Sequence, residues 1–179
     1  KASIIGKEFI ENFLKSTKLD ANKIVTLNIR DQKFDPKRNS NKKELLKFAE
    51  YLNKKKYLPL ILPDTNEMWE VDEQFQKFKI SKEISCSVSL RIALYERVLL
   101  NIFVPGGITT LAYLNENVNF IFFKAGFIEG SVVHTKDQWL VEGNFPFSNK
   151  KQILAYKDDT FDNLKDEFEN FLKLTDGKN

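Results

Sequence analysis

Between Ser89 and Lys124 the chain reads helix, strand, glycine turn, helix, strand in one pass, and that order restricts the fold more than any other feature. Leu90, Ala93, Leu94, Arg97 and Val98 keep helical spacing. Leu100 to Val104 is a mostly apolar run of strand length, and Gly106-Gly107 then opens Ile108-Thr109-Thr110-Leu111-Ala112. Strands alternating with helices predict an α/β fold with a parallel sheet. A glycine pair at the carboxyl end of such a strand lets the backbone approach a phosphate, and the first N–H groups of the next helix are unpaired and partly positive. Thr109 and Thr110 add hydroxyls.

The same glycines also suit a plain turn needing a positive φ. The motif lacks the third glycine of a dinucleotide fingerprint and the Gly-Lys-Ser/Thr ending of a phosphate-binding loop, so neither a nicotinamide dehydrogenase nor a P-loop NTPase is indicated.

Upstream, Gly6 to Lys18 places Phe9, Ile10, Phe13 and Leu14 at helical spacing, and Lys23 to Ile29 is a β-branched strand ending at Arg30-Asp31. Gln32 to Asn41 is polar, contains Pro36 and reads as a long loop. Asn41 with Glu44 caps a helix whose apolar face is Leu45, Phe48, Ala49 and Leu52, and Leu58 to Leu62 is a second strand closed by Pro63-Asp64. Asn66 to Ser85 is expected to be helix and then a short connection. Trp139-Leu140-Val141 stands among loops, Gln152 to Tyr156 is a last strand, and Phe161 to Leu174 is an amphipathic helix. The expectation is one α/β domain over residues 1–179, a three-layer sandwich with a mainly parallel, Rossmann-like sheet.

The single cysteine, Cys86, excludes an internal disulfide and makes a reducing, cytoplasmic setting the natural expectation. No run reaches membrane-spanning length, and the start at Lys1 reads as a segment of something longer. The net charge of +3 is spread over lysine-rich surfaces and gives no nucleic-acid stripe. Of 28 basic residues only Arg30, Arg38, Arg91 and Arg97 are arginine, which singles them out for places that need a planar, bidentate donor.

Two segments resemble the sugar-nucleotide domain of GT-B glycosyltransferases, in particular the fucosyltransferase-like and heptosyltransferase-like groups. Thr26-Leu27-Asn28-Ile29-Arg30-Asp31 has the look of a first strand ending in arginine before a loop. Phe103-Val104-Pro105-Gly106-Gly107-Ile108-Thr109-Thr110-Leu111-Ala112 resembles the small-residue turn that opens a helix under the donor diphosphate. The resemblance covers roughly residues 23 to 124. It departs at Asp31, which directly follows Arg30, and at Pro105. It implies the donor-binding half of a longer two-domain enzyme, with Arg30 on the diphosphate, Gly106, Gly107, Thr109 and Thr110 cradling it, and a nucleotide sugar and an acceptor as partners. Asn28, Arg38, Asp64, Arg91 and Glu96 are additional candidates.

No Asp-x-Asp pair or His-x-x-x-His is present, and His134 is the only histidine, so a metal-independent site without cofactor is expected. In such a site arginine and backbone N–H groups stabilise the departing diphosphate. Plainer roles stand beside these. Arg30 can pair with Asp31 or Asp64, Arg38-Asn39-Ser40 can be a solvated loop and cap, Asp64 can belong to a turn, Arg91 and Glu96 can be surface charges, and Tyr95 can be core. A non-catalytic α/β phosphate- or nucleotide-binding module is the alternative. A hydrolase is disfavoured by the missing nucleophile elbow and Ser-His-Asp set.

Overall fold

The computed structural model describes residues 1–65, 71–125 and 144–175. Trp139-Leu140-Val141, expected among loops, and His134 lie outside them. Six strands form one sheet in the order β3-β2-β1-β4-β5-β6: β1 (Ile24–Asn28), β2 (Leu58–Leu62), β3 (Lys79–Ile80), β4 (Leu100–Phe103), β5 (Phe120–Phe123) and β6 (Gln152–Ala155). Every pairing is parallel, with Leu27 opposite Ile61 on one side and Ile102 on the other. This is the Rossmann-like arrangement expected, with no antiparallel member among the described strands.

Burial on both faces explains the strand composition. Phe120 and Phe122 enter one core while Ile121 and Phe123 enter the other, so successive residues of β5 are all apolar. The first core is closed by α1 (Ile4–Thr17), α4 (Val88–Arg97) and α5 (Gly107–Tyr113), and the second by α2 (Lys42–Lys54) and α6 (Phe161–Thr175). Ser3 caps α1 by accepting from the Gly6 N–H, and Asn41 caps α2 by accepting from Glu44.

Residues 71–85 correct the helical expectation. They form a 3₁₀ turn at Glu73–Phe75, the two-residue strand β3 and the short helix α3 (Lys82–Ser85). The reason is tertiary: Phe75 and Phe78 fill the second core, and β3 pairs through Lys79 and Ile80 with Leu60 and Ile61. That pairing outweighs the local helical preference.

The second core is aromatic where α2 meets α6. Phe168 is fully buried, with its ring edge-on to Phe48 at 5.8 Å and to Tyr57 at 5.1 Å between centroids. Phe168→Ala should therefore cost about 3–5 kcal/mol of stability through lost transfer energy and an unfilled cavity. Urea unfolding monitored by circular dichroism measures it. A loss under 1 kcal/mol would mean that α6 docks without this ring.

Candidate functional site

The strand order reverses direction at β1. The chain moves outward to β2 and β3 and then returns to β4 on the opposite side of β1, so the crossovers leave the sheet on opposite faces. Loops at the carboxyl ends of β1 and β4 part there, which is where open α/β sheets hold ligands. A cleft of about 320 Å³ occupies that place, lined by Asn28, Arg30 and Gln32 after β1, Asp64 and Thr65 after β2, and Gly106 and Gly107 after β4. Ser85, Cys86, Val88 and Arg91 close it from the α3–α4 side.

Arg30 is the least satisfied group in the cleft. Its Nε and Nη2 are buried without a hydrogen-bond partner among the described residues. The plainer expectation, an ion pair to Asp31 or Asp64, is not what forms. The Asp31 carboxylate pairs with Lys42, and the Asp64 carboxylate accepts the Asp31 backbone N–H at 3.1 Å. Burial pushes the guanidinium below its ordinary pKa, the Arg38 charge adds to this, and Asp64 and Asp35 oppose both. Its backbone, in contrast, is fixed. The Arg30 N–H donates to Ser40 Oγ at 2.9 Å, and the Ser40 N–H donates to the Arg30 carbonyl at 3.0 Å.

The glycine turn lies against this guanidinium. A Cβ on Gly106 would stand 3.7 Å from Arg30 Nη1, and one on Gly107 would meet nothing within 4 Å. Gly106 has φ −168°, extended backbone open to any residue, and neither glycine holds a left-handed φ. The turn therefore does not demand glycine for its geometry. What the glycines leave is open space beside a cation. Helix α5 itself is only seven residues long, and its dipole is correspondingly a minor contribution.

Arg91 is 6% exposed and anchors the cleft wall, donating from Nε to the Ser85 carbonyl and from Nη2 to the Pro63 carbonyl, both at 2.9 Å. Neither it nor Arg30 joins any ion pair among the described residues. Asn28 lies on the floor with its amide in use. Its Nδ2 donates to Thr26 Oγ1 and the Ile102 carbonyl at 3.1 Å, and its Oδ1 accepts the Tyr95 hydroxyl at 2.5 Å. Burial pushes the Tyr95 phenol up to about 12, so it remains a donor across ordinary pH.

Other candidates have different employment. Thr109 is buried and its hydroxyl donates to the Val104 carbonyl at 3.1 Å, which fixes the turn. Thr110 is exposed, stands outside the cleft lining, and its Oγ1 accepts from the Tyr113 hydroxyl. Arg38 pairs with Asp35 at 2.6 Å. Outside the candidate set, Asp159 forms an ion pair with Lys124 at 2.7 Å and accepts the Asn41 N–H, while Asp158 stands on the exposed surface. The described residues contain no group of three His, Cys, Asp or Glu side chains placed to share a metal ion, and no helix among them is long and apolar enough to cross a membrane. Sequence reasoning passed over Ser85, Cys86 and Val88 in the lining, and Phe34, whose ring centroid lies 5.5 Å from Arg30 Cζ.

Glu96 lies at the far end of α4 from the cleft. It accepts the Ala2 N–H at 2.6 Å and Asn115 Nδ2 at 2.8 Å, and pairs with Lys7. Burial pushes its pKa up, but these partners outweigh that and hold it below the usual value. A depressed carboxylate contributes stability above its unfolded pKa and loses it as pH falls through the folded one. Stability should thus fall between about pH 5 and 3, and Glu96→Gln should flatten that loss. Urea titrations at stepped pH test it, and parallel profiles would remove Glu96 from the acid response.

No family model matches the chain, and no curated protein matches it. Solved structures do. The E. coli ADP-heptose LPS heptosyltransferase II superposes with TM-score 0.63 at 9% identity, covering 98% of this chain and 54% of that one. A family 9 glycosyl transferase from Veillonella parvula DSM 2008 superposes with TM-score 0.68 at 13% identity, covering 96% of this chain and 53% of that one. The chain therefore shares its fold with about half of each of these two glycosyltransferase structures, the fold that the sequence resemblance implied. The chain spans about half the length of these two structures.

Proposed function

We propose that this chain binds a sugar nucleotide as the donor half of a metal-independent glycosyltransferase. The observation that carries the reading is Arg30, a guanidinium with two buried, unpartnered nitrogens beside a glycine turn at the sheet's switch point. An orphaned buried donor costs free energy, and a diphosphate oxygen is the partner whose geometry and charge would repay it.

In the proposed reaction an acceptor nucleophile bonds to the anomeric carbon and gives its proton to a base as the glycosyl–phosphate bond breaks, and negative charge grows on the departing nucleoside diphosphate. Arg30 stabilises that charge from a backbone already fixed by Ser40. Gly106 and Gly107 keep the approach free of side chains. Arg91 supplies a second positive charge to the same cleft. Acceptor and catalytic base belong to the rest of a longer protein in this reading, and a cytoplasmic setting follows from the sparing use of cysteine. The alternative, a binding module without catalysis, is favoured by one fact: among the described residues Asp64 is the only carboxylate in the cleft lining, and it already accepts from Asp31.

Saturating GDP, ADP or UDP, at about a hundredfold its dissociation constant, should add about 2.7 kcal/mol to stability. Arg30→Ala should abolish the gain. Gly107→Val should abolish it too while leaving the fold, since a Cβ there meets no atom within 4 Å and the residue lines the cleft. Nucleotide should also slow alkylation of Cys86, the sole cysteine, which is exposed on the cleft wall. An undiminished shift in Arg30→Ala would take Arg30 out of the site.

Metal independence has its own measurement. Calorimetric titration of the same nucleotide with and without EDTA should give equal affinities, because guanidinium and backbone carry the charge that Mg²⁺ or Mn²⁺ would otherwise neutralise. Loss of most affinity in chelator would defeat this reading.

A further inference from the structure

The loop from Gln32 to Asn41 is polar apart from Phe34 and Pro36, and it presents Phe34 with 76% of its surface exposed. The ring lies over the Arg30 guanidinium, its centroid 5.5 Å from Cζ, so one face meets the cation. Phe34 is outside the cleft lining, whereas the interior extends from Arg30 toward Asp64, Ser85, Cys86 and Val88. A phosphate on Arg30 therefore has the enclosed cleft on one side and the Phe34 rim on the other.

From this placement we infer that Phe34 is the platform for the glycosyl group of the donor, which stacks its C–H face on the ring while the nucleoside fills the cleft. The inference rests on the nucleotide reading above and adds the subsite that separates a sugar-linked diphosphate from a free one. The chemistry suits a hexose. One face of a pyranose carries C–H hydrogens of slight positive charge, the face of a phenyl ring is negative, and a phenyl has little rotamer freedom to lose. The guanidinium beneath keeps the ring in place and holds the adjoining phosphate, so phosphate and sugar are recognised by neighbouring groups.

Because Phe34 is exposed, its replacement leaves the cores intact. The experiment is calorimetric titration of the whole chain with UDP, ADP and GDP, each beside its sugar-linked form, UDP-glucose, ADP-glucose or GDP-mannose. The wild type should bind at least one sugar-linked form more tightly than its free diphosphate. Phe34→Ala should weaken that sugar-linked form about threefold to tenfold and leave the free diphosphate unchanged. Phe34→Trp should restore the preference, and Phe34→Leu should not. Equal weakening of both members of a pair would mean that the ring only steadies Arg30, and would overturn the inference. So would unchanged binding in Phe34→Ala, or a wild type indifferent to the sugar. In each of those cases free diphosphate that still binds through Arg30 leaves the nucleotide reading standing, whereas a wild type that binds no nucleotide defeats both.

Discussion

Everything in this molecule is arranged around the parallel pairing of β1 with both β2 and β4. That pairing makes β1 an interior strand, buried along its whole length, and it forces the chain to cross one face of the sheet before the reversal and the other face after it. The opening above β1 is a result of connectivity and requires no special residue. What residues contribute is the floor. Thr26 donates to Asn101 Oδ1 at 2.7 Å, and Asn101 Nδ2 donates to the carbonyls of Tyr95 and Asn119, so a polar line runs through an otherwise apolar layer with its groups matched. A buried network with every member satisfied is rigid, and it holds the strand ends on which the cleft is built.

Arg30 contrasts with that floor. The surrounding structure satisfies Asn28, Asn101 and Thr26 but leaves two nitrogens of a guanidinium unmatched a few residues away. Such local cost persists where the rest of the structure holds it. Ser40 holds the Arg30 backbone, the Asn39 side chain brackets Gln32, and Lys124 donates to the Asn39 carbonyl while paired with the buried Asp159. Lys124 adopts a left-handed φ of 57° directly after β5. Polar contacts thus run from the end of β5 to the arginine that follows β1.

Much of the fold was legible because burial on both faces writes itself into composition. Leu58 to Leu62 and the apolar run from Leu100 announced their strands, and Asn41 with Glu44 announced a capped helix. β3 was not legible: two residues, Lys79 and Ile80, carry no period, and only the partner strand makes them a strand. In the cleft, Arg30 and the glycines stood out as residue types placed at strand ends. Thr109 and Glu96 misled because a sequence does not say which acceptor a hydroxyl will find or which end of α4 faces the cleft. Phe34 did carry a signal, a lone aromatic in a polar loop. Its nearness to Arg30 is set by the loop's path, which no local pattern encodes.

The reciprocal hydrogen bonds between Arg30 and Ser40 have an evolutionary meaning. Together with the Gln32–Asn39 bonds and the Lys124 contact they close the loop at its base, so residues 33–38 project from that closure instead of being threaded through the core. Lengthening a loop closed in this way is cheap, about 0.6 kcal/mol for each doubling. The rim of the cleft can therefore change in length and composition between descendants without disturbing the arginine, and a lineage could exchange what it recognises while keeping the same scaffold.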